Sequence, residues 1–392
     1  LNKEIDGHDG TIDCVEGLVQ MDDSVIEILD GMRQGILRQN GERIGELAHL
    51  AMQLPVADEL LLVGLVALPD DRGLFAAAGQ MAVDAVVRDI ELPAFEPAHF
   101  GAGEIARSVA AARPDIALIT NASVNHAEGF GGLEGVVRAK GEIIDGLKPD
   151  GVLLLNAADP RVGDWRRRGA DFRQVLFSLH ERPGESGYCA AGIELNNAGQ
   201  PSFELVSPRG MVRVGLRLLG EHNVANAVAA AAAAFEAGAG AEAVKQGLEA
   251  VEPVPGRLCP QAGPGGLRII DDSYNAAPGS FRAAIELLAR LPGESLLIAG
   301  DMLELGPGTE AMHREIGSYA AARGIGQLWA TGELCRHMVK GFGHAGRHFA
   351  TRQQLLEALD EVAAADRVVL VKGSRGARMD EVTAILQKGG TD

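Results

Sequence analysis

The sequence predicts an α/β protein. A central domain on a parallel sheet is followed by a compact, doubly wound, Rossmann-like carboxyl-terminal domain, and both are preceded by a divergent, mostly helical region. Three features point there. Short, wholly apolar runs recur, each followed by a polar or glycine turn and then a segment with helical spacing. A block of period-two alternation interrupts this rhythm at residues 187–217. The segment Pro253-Val-Pro-Gly256 then breaks the chain like a hinge.

In order, residues 1–92 form the divergent region, with helical spacing over Asp23–Leu37 and Glu42–Leu54 and a buried-strand pattern at Leu60–Leu68. No chemical motif stands out in it. Residues 93–256 form the central domain: helix Glu104–Ala112, strand Ile116–Thr120, helix Gly132–Gly146 and strand Gly151–Asn156. Antiparallel hairpins follow in YCAAGIEL, SFELVS and MVRVGLRL, and then an Ala-rich helix from about Asn223 to Ala237. Residues 257–392 form the last domain. Its strands at Leu267–Asp271, Ser295–Ala299, Gln327–Ala330 and Arg367–Val371 alternate with helices near 279–291, 309–323, 352–364 and 376–387.

The 392 residues carry 54 acidic and 36 basic side chains, a net charge of −18, so no broad nucleic-acid-binding surface is expected. Aromatics make up only 4%, too few for base-stacking platforms. Cys14, Cys189, Cys259 and Cys335 form no CxxC pair, so neither a structural zinc nor a thioredoxin-type site is expected and a cytoplasmic setting is. The longest apolar stretch, Val224–Phe235, is too short to span a bilayer, so no membrane insertion is expected.

Five clusters have the residue types that chemistry needs. Ile119–His126, followed by Glu128-Gly-Phe-Gly131, is a polar segment after an apolar strand, at the sheet edge where open α/β folds bind ligands. His126 there suits a metal, or is simply a loop histidine. Lys140 sits late in a helix. Its ordinary reading is a solvated helix end, and its reactive one is a carbamate formed with carbon dioxide, which a depressed pKa would allow. Asn223 and Asn226 open the Ala-rich helix. Asn223 caps it, or its amide reads a nucleobase edge with one donor and one acceptor. Arg257 follows the hinge, close to the strand end Asp271-Asp272-Ser273-Tyr274-Asn275. It is either a surface arginine or a phosphate ligand that arrives when the domains close. Finally, Gly300–Gly306 and Val371-Lys372-Gly-Ser374-Arg375 end strands of the third domain. Lys372 and Arg375 suit a carboxylate or phosphate, and Ser374 is a natural helix cap.

Together and in this order, these segments resemble the Mur ligase family from about Glu96 to the carboxyl terminus. The motifs are ITNxxxxHxEGFGxLEGVxRAKGEI, GEHNVANA, VPGR, DDSYNAAPGS, GDMLELG and LVKGSR. GDMLELG and DDSYNAAP point to the branch that joins D-alanyl-D-alanine to UDP-N-acetylmuramoyl-tripeptide. The signatures GDMLELG and VKGSR argue against a folylpolyglutamate synthase. The resemblance implies ATP-driven amide formation through an acyl phosphate, with Mg2+ offsetting phosphoryl charge, in a monomer. It implies Glu96 and His126 as magnesium ligands, and Lys140 as a carbamylated lysine holding a second Mg2+. It also implies Asn223 with Asn226 at adenine, Arg257 on the ATP phosphates and Asp272 on the ribose. Lys372, with Ser374 and Asn275, falls on the substrate side.

The family's phosphate loop ends in Gly-Lys-Thr, upstream of the position matched by Glu96, but the 392 residues contain no Gly-Lys dipeptide. The segment GLVALPDDRG at 64–73 has acids where that loop carries lysine. Residues 1–95 also do not resemble the family's uridine-nucleotide-binding first domain. The sequence therefore predicts weak ATP binding, and leaves open a ligase-like protein with impaired ATP use that acts by binding or regulation.

Overall fold

The computed structural model describes residues 103–122, 130–362 and 366–389. The helices and strand expected within 1–92, and Glu96 and His126, lie outside the described residues.

The central unit opens with α1 (Glu104–Ala112), β1 (Ile116–Ile119), α2 (Leu133–Asp145) and β2 (Val152–Asn156), within a residue of their expected bounds. The sequence reading passed over α3 (Val162–Arg168) and β3 (Arg173–Phe177), which follow. The three strands pair in parallel in the order β1-β2-β3, with Ile116 opposite Val152 and Val152 opposite Arg173. All four residues of β1 are buried, as the covered strand of a parallel sheet must be. Alternate residues serve two cores. Ala117, Ile119, Leu153 and Leu155 meet Val137, Ile143 and Trp165 on one face, while Ile116, Leu118 and Leu154 face the other way.

That second face is closed by α4 (His222–Glu236), whose residues Ala227–Phe235 are all buried. The run Ala229–Ala234 leaves only methyl groups along the middle of this helix, so it can lie close to the sheet and to the antiparallel sheet beyond it. That sheet, β4 (Cys189–Leu195), β5 (Pro201–Ser207) and β6 (Gly210–Gly215), arises where the period-two pattern predicts it. A further helix, α5 (Ala241–Ala250), leads to the hinge.

The carboxyl-terminal unit contains β7 (Cys259–Ala262), β8 (Arg268–Asp272), α6 (Pro278–Arg290), β9 (Glu294–Ala299) and α7 (Thr309–Ala322). It continues with β10 (Gln327–Thr331), α8 (Cys335–Phe342), β11 (Gly346–Phe349), α9 (Arg352–Glu357), β12 (Arg367–Lys372) and α10 (Asp380–Lys388). Its sheet runs β11-β10-β9-β12-β8-β7, parallel except for β7, which pairs antiparallel with β8. Helices cover both faces: Phe281, Ile285 and Ile316 on one, Leu355, Val382 and Leu386 on the other. The helix expected over 352–364 is shorter, ending at Glu357 before a 3-10 turn at Leu359–Val362. Helices α7 and α8 cross at two glycines. A Cβ on Gly317 would lie 1.8 Å from the Met338 carbonyl oxygen, and one on Gly341 would lie 2.0 Å from that of Arg314.

Candidate active site

The carboxyl ends of β8 and β12 face the start of α4. β12 ends in Lys372, which is 2% exposed, and β8 ends in Asp271 and Asp272. Lys372 Nζ donates to Asp272 Oδ2 at 2.7 Å and to the Asn275 carbonyl at 2.9 Å. The Leu258 amide, at 3.2 Å, donates to the other Asp272 oxygen. Asp271 accepts from the Ser273 hydroxyl at 2.6 Å, the Gly256 amide at 3.0 Å and the Thr383 hydroxyl at 3.3 Å. Two adjacent carboxylates thus share a strand end because one meets a buried ammonium and the other a ring of neutral donors.

The hinge turn is clamped onto this pair. Gly256 has φ +78°, and a Cβ there would press on Tyr274 Cβ at 3.2 Å, so the Pro-Gly-Arg turn needs glycine. Leu258 also takes a left-handed backbone, φ +48°, a strained conformation that persists where surroundings over-determine it. Between them the Arg257 guanidinium lies 4.0 Å from the centre of the Tyr274 ring, and Arg375 approaches the same ring at 5.8 Å. Arg257 Nη2 is buried without a hydrogen-bond partner among the described residues. A buried cationic donor with no acceptor is costly and suits an incoming anion.

Across the seam, α4 begins at His222, so Asn223 is not its cap. Instead Asn223 Nδ2 donates to the Leu219 carbonyl at 2.8 Å, and Asn223 Oδ1 accepts from Asn226 Nδ2 at 2.9 Å. Asn226 Oδ1 is left buried with no donor among the described residues, matching a ligand that brings an N–H. Burial pushes the His222 imidazole down to about 4, with Asp272 pulling it up and Lys372 adding to the depression, so this histidine is neutral at pH 7.

A second group lies at the carboxyl end of β1. Lys140 is buried on α2, and its Nζ donates to the Asn121 carbonyl at 2.9 Å. The Asn156 amide holds the Thr120 carbonyl at 3.0 Å, and Asp159 accepts from the Ala122 amide at 2.8 Å. Lys140 is therefore no solvated helix end but part of the sheet edge. Elsewhere, Asp301, His313 and Cys335 cluster tightly, but both His313 nitrogens are taken, Nε2 by the Met302 amide and Nδ1 by the Thr309 carbonyl. That trio offers no free imidazole lone pair to a metal.

Comparison with known proteins decides the family. Residues 70–234 match the Mur ligase middle domain, and residues 256–375 match the Mur ligase, glutamate ligase domain. The UDP-N-acetylmuramoyl-tripeptide--D-alanyl-D-alanine ligase of Buchnera aphidicola from Acyrthosiphon pisum is 31% identical over 359 residues, 91% of this chain and 73% of that one. The chain belongs to the Mur ligase family. The Escherichia coli K12 protein of the same name is 40% identical over 291 residues, 74% of this chain, and the match spans 64% of the relative's length. A crystal structure of MurF from Acinetobacter baumannii superposes with TM-score 0.67 at 31% identity, covering 73% of this chain and 62% of that one.

Within this Mur ligase, Asn223, Asn226, Arg257, Asp272, Asn275 and Lys372 gather at the seam, while Lys140 sits at the central sheet edge. Glu96 and His126 are outside the described residues. Ser374 does not cap the turn that follows it. Its hydroxyl accepts from the Leu303 amide at 2.9 Å and reaches the Ala276 carbonyl at 3.4 Å. The sequence reading missed Tyr274 as the platform for Arg257, and His222 and Asp271 as parts of the seam. Their signal was adjacency: His222 precedes Asn223, and Asp271 precedes Asp272. Among the described residues no helix is long and apolar enough to cross a membrane.

Proposed function

We propose that this Mur ligase joins D-alanyl-D-alanine to UDP-N-acetylmuramoyl-tripeptide at the expense of ATP, in peptidoglycan precursor synthesis, as a monomer in the cytoplasm. The observation that carries this reading is Arg257. Its guanidinium is half-buried, with Nη2 buried and unpartnered among the described residues, in the turn that follows the Pro253–Pro255 hinge; Asn226 Oδ1 is likewise buried and unpartnered among the described residues. An anion and an N–H donor held together is what a nucleotide presents: phosphate for Arg257, an adenine edge for Asn226 and Asn223.

In this reading a carboxylate oxygen of the tripeptide attacks the γ-phosphorus of ATP, ADP leaves, and an acyl phosphate forms. The dipeptide amine then attacks the acyl carbon and inorganic phosphate leaves. Arg257 offsets phosphoryl charge, and the Lys372–Asp272 pair fixes the shape of the third-domain side. Asn275 and Ser374 hold the loops around it, and Asp272 is the proposed partner of the ribose hydroxyls. Magnesium, when bound, would neutralise the phosphate oxygens. Glu96 and His126 are its proposed ligands, with Lys140 contributing once carbon dioxide has added to its neutral amine.

A coupled assay tests the reading. Phosphate release should require ATP, the UDP-linked tripeptide and D-alanyl-D-alanine together, and a ligated product of the expected mass should appear. Release that ignores either peptide substrate, or no product at all, would overturn it. Calorimetric titration with ATP and Mg2+ measures nucleotide affinity directly, and submicromolar binding would overturn the weak binding that the sequence predicts.

A further inference from the structure

Asp271 is buried, and among the described residues its partners are neutral donors that divide between its two oxygens. Oδ1 serves the strand end itself, accepting from the Ser273 hydroxyl and amide and from the Thr383 hydroxyl on α10. Oδ2 serves the hinge turn. It accepts from the Gly256 amide at 3.0 Å and, at 3.5 Å, from Gln261 Nε2. The Gly256 carbonyl accepts from the Tyr274 amide at 3.0 Å, so both backbone polar groups of this buried glycine are held by the end of β8 and the turn after it. The Arg257 amide closes the hinge turn on the Val254 carbonyl at 3.1 Å. Arg257 thus stands between two left-handed residues, Gly256 and Leu258, each tied to one of the two acids. A backbone of this kind persists only where its surroundings over-determine it.

We propose that Asp271 is a positioning residue for Arg257: by clamping the Gly256 amide, its Oδ2 aims the guanidinium over Tyr274 before any nucleotide arrives. The proposal rests on the reading of Arg257 as a phosphate ligand. The two acids divide the work. Asp272 takes the Lys372 ammonium and the Leu258 amide, downstream of Arg257, and Asp271 takes the Gly256 amide, upstream of it. A long side chain loses affinity when it must be ordered on binding, and one already aimed loses less. An amide at position 271 would offer one acceptor oxygen where two are used, and its NH2 would face either the Gly256 N–H or the donors of Ser273. The turn would be loosened with the guanidinium itself left in place.

A double-mutant cycle on ATP affinity, measured by calorimetry on the full chain with Mg2+, tests the proposal. Asp271→Asn should weaken ATP binding about three- to tenfold in the parent, and less than about twofold once Arg257→Met is present. Val382→Ala controls for lost stability: it trims the core beneath α10 and removes no bond to Asp271 or Gly256, so ATP affinity should stay within about twofold. No loss from Asp271→Asn, equal losses in both backgrounds, or a loss as large from Val382→Ala would overturn the proposal. If Arg257→Met leaves ATP affinity unchanged, the phosphate reading fails and this proposal falls with it. If Arg257→Met weakens ATP and the two losses simply add, the proposal falls alone. Should Asp271→Asn not fold, the unaltered protein decides. Without nucleotide, its Gly256 amide should exchange with deuterium as slowly as the amides of β8; exchange as fast as in an exposed turn would overturn the proposal.

Discussion

Lys372 and Asp272, separated by 100 residues in sequence, meet at 2.7 Å at the ends of two adjacent parallel strands. With the Lys372 side chain 2% and the Asp272 side chain 13% exposed, the pair has little water to fall back on. Lys372→Met should therefore destabilise the protein by about 3–5 kcal/mol, because it strands the carboxylate. Lys372→Met combined with Asp272→Leu should cost less than the sum of the single changes. Denaturant unfolding of the four proteins gives the coupling, and strict additivity would show that the pair is not energetically joined.

Arg257→Met is expected to separate stability from binding. It removes a buried, unpartnered nitrogen but also a ring contact worth about 0.5–1 kcal/mol at an exposed site. Unfolding free energy should therefore change by no more than about 1 kcal/mol. ATP affinity should fall about ten- to a hundred-fold with the loss of one charge-assisted contact. Calorimetry with equal affinity for both proteins would remove Arg257 from the nucleotide site.

His222 sets a pH dependence with a definite sign. Its folded pKa, about 4, lies below the ordinary value of 6.5, so between those values the unfolded chain binds more protons. Stability should rise with pH across that window, by up to about 3 kcal/mol, and be indifferent to this group above it. Comparing unfolding of the protein and of His222→Gln at pH 4.5, 5.5 and 7 isolates this residue from the carboxylates. Parallel profiles would refute it.

Lys140→Ala should abolish turnover if the buried amine carries a carbamate that helps hold the metal. Persistence of full activity in the alanine variant would refute that role.

Gly317→Ala places a methyl group 1.8 Å from the Met338 carbonyl oxygen, which belongs to backbone and cannot swing aside. The change should destabilise the carboxyl-terminal unit by about 1–3 kcal/mol or more, through displacement of α8. An unfolding midpoint equal to that of the parent would show that the helices separate freely.

Elements with a strong local period were legible. α1 appears over the expected residues, and the β1, β2, β8, β9, β10 and β12 patterns each produced a strand. Several of those passed over have weak local signals, although α5 is plainly amphipathic. β3 starts with charged and polar residues, β7 contains Pro260, which an edge strand tolerates, and α8 carries Gly341 in its last turn. At the site, the residue types were legible but not their pairing. Asp271 and Asp272 are adjacent like charges that need compensating partners, and nothing local reveals that Lys372 supplies one of them. Asn223 looked like a cap because its side chain suits one, whereas the helix begins a residue earlier and the amide turns back to Leu219.

The turn around Arg257 has a mechanical corollary. Gly256 and Leu258, its neighbours on either side, are fastened to Asp271 and Asp272, so the guanidinium is cargo of the third domain rather than part of a free linker. A rotation between the units would have to pivot upstream, around Pro253–Pro255, and would carry the charge with it as a rigid pointer.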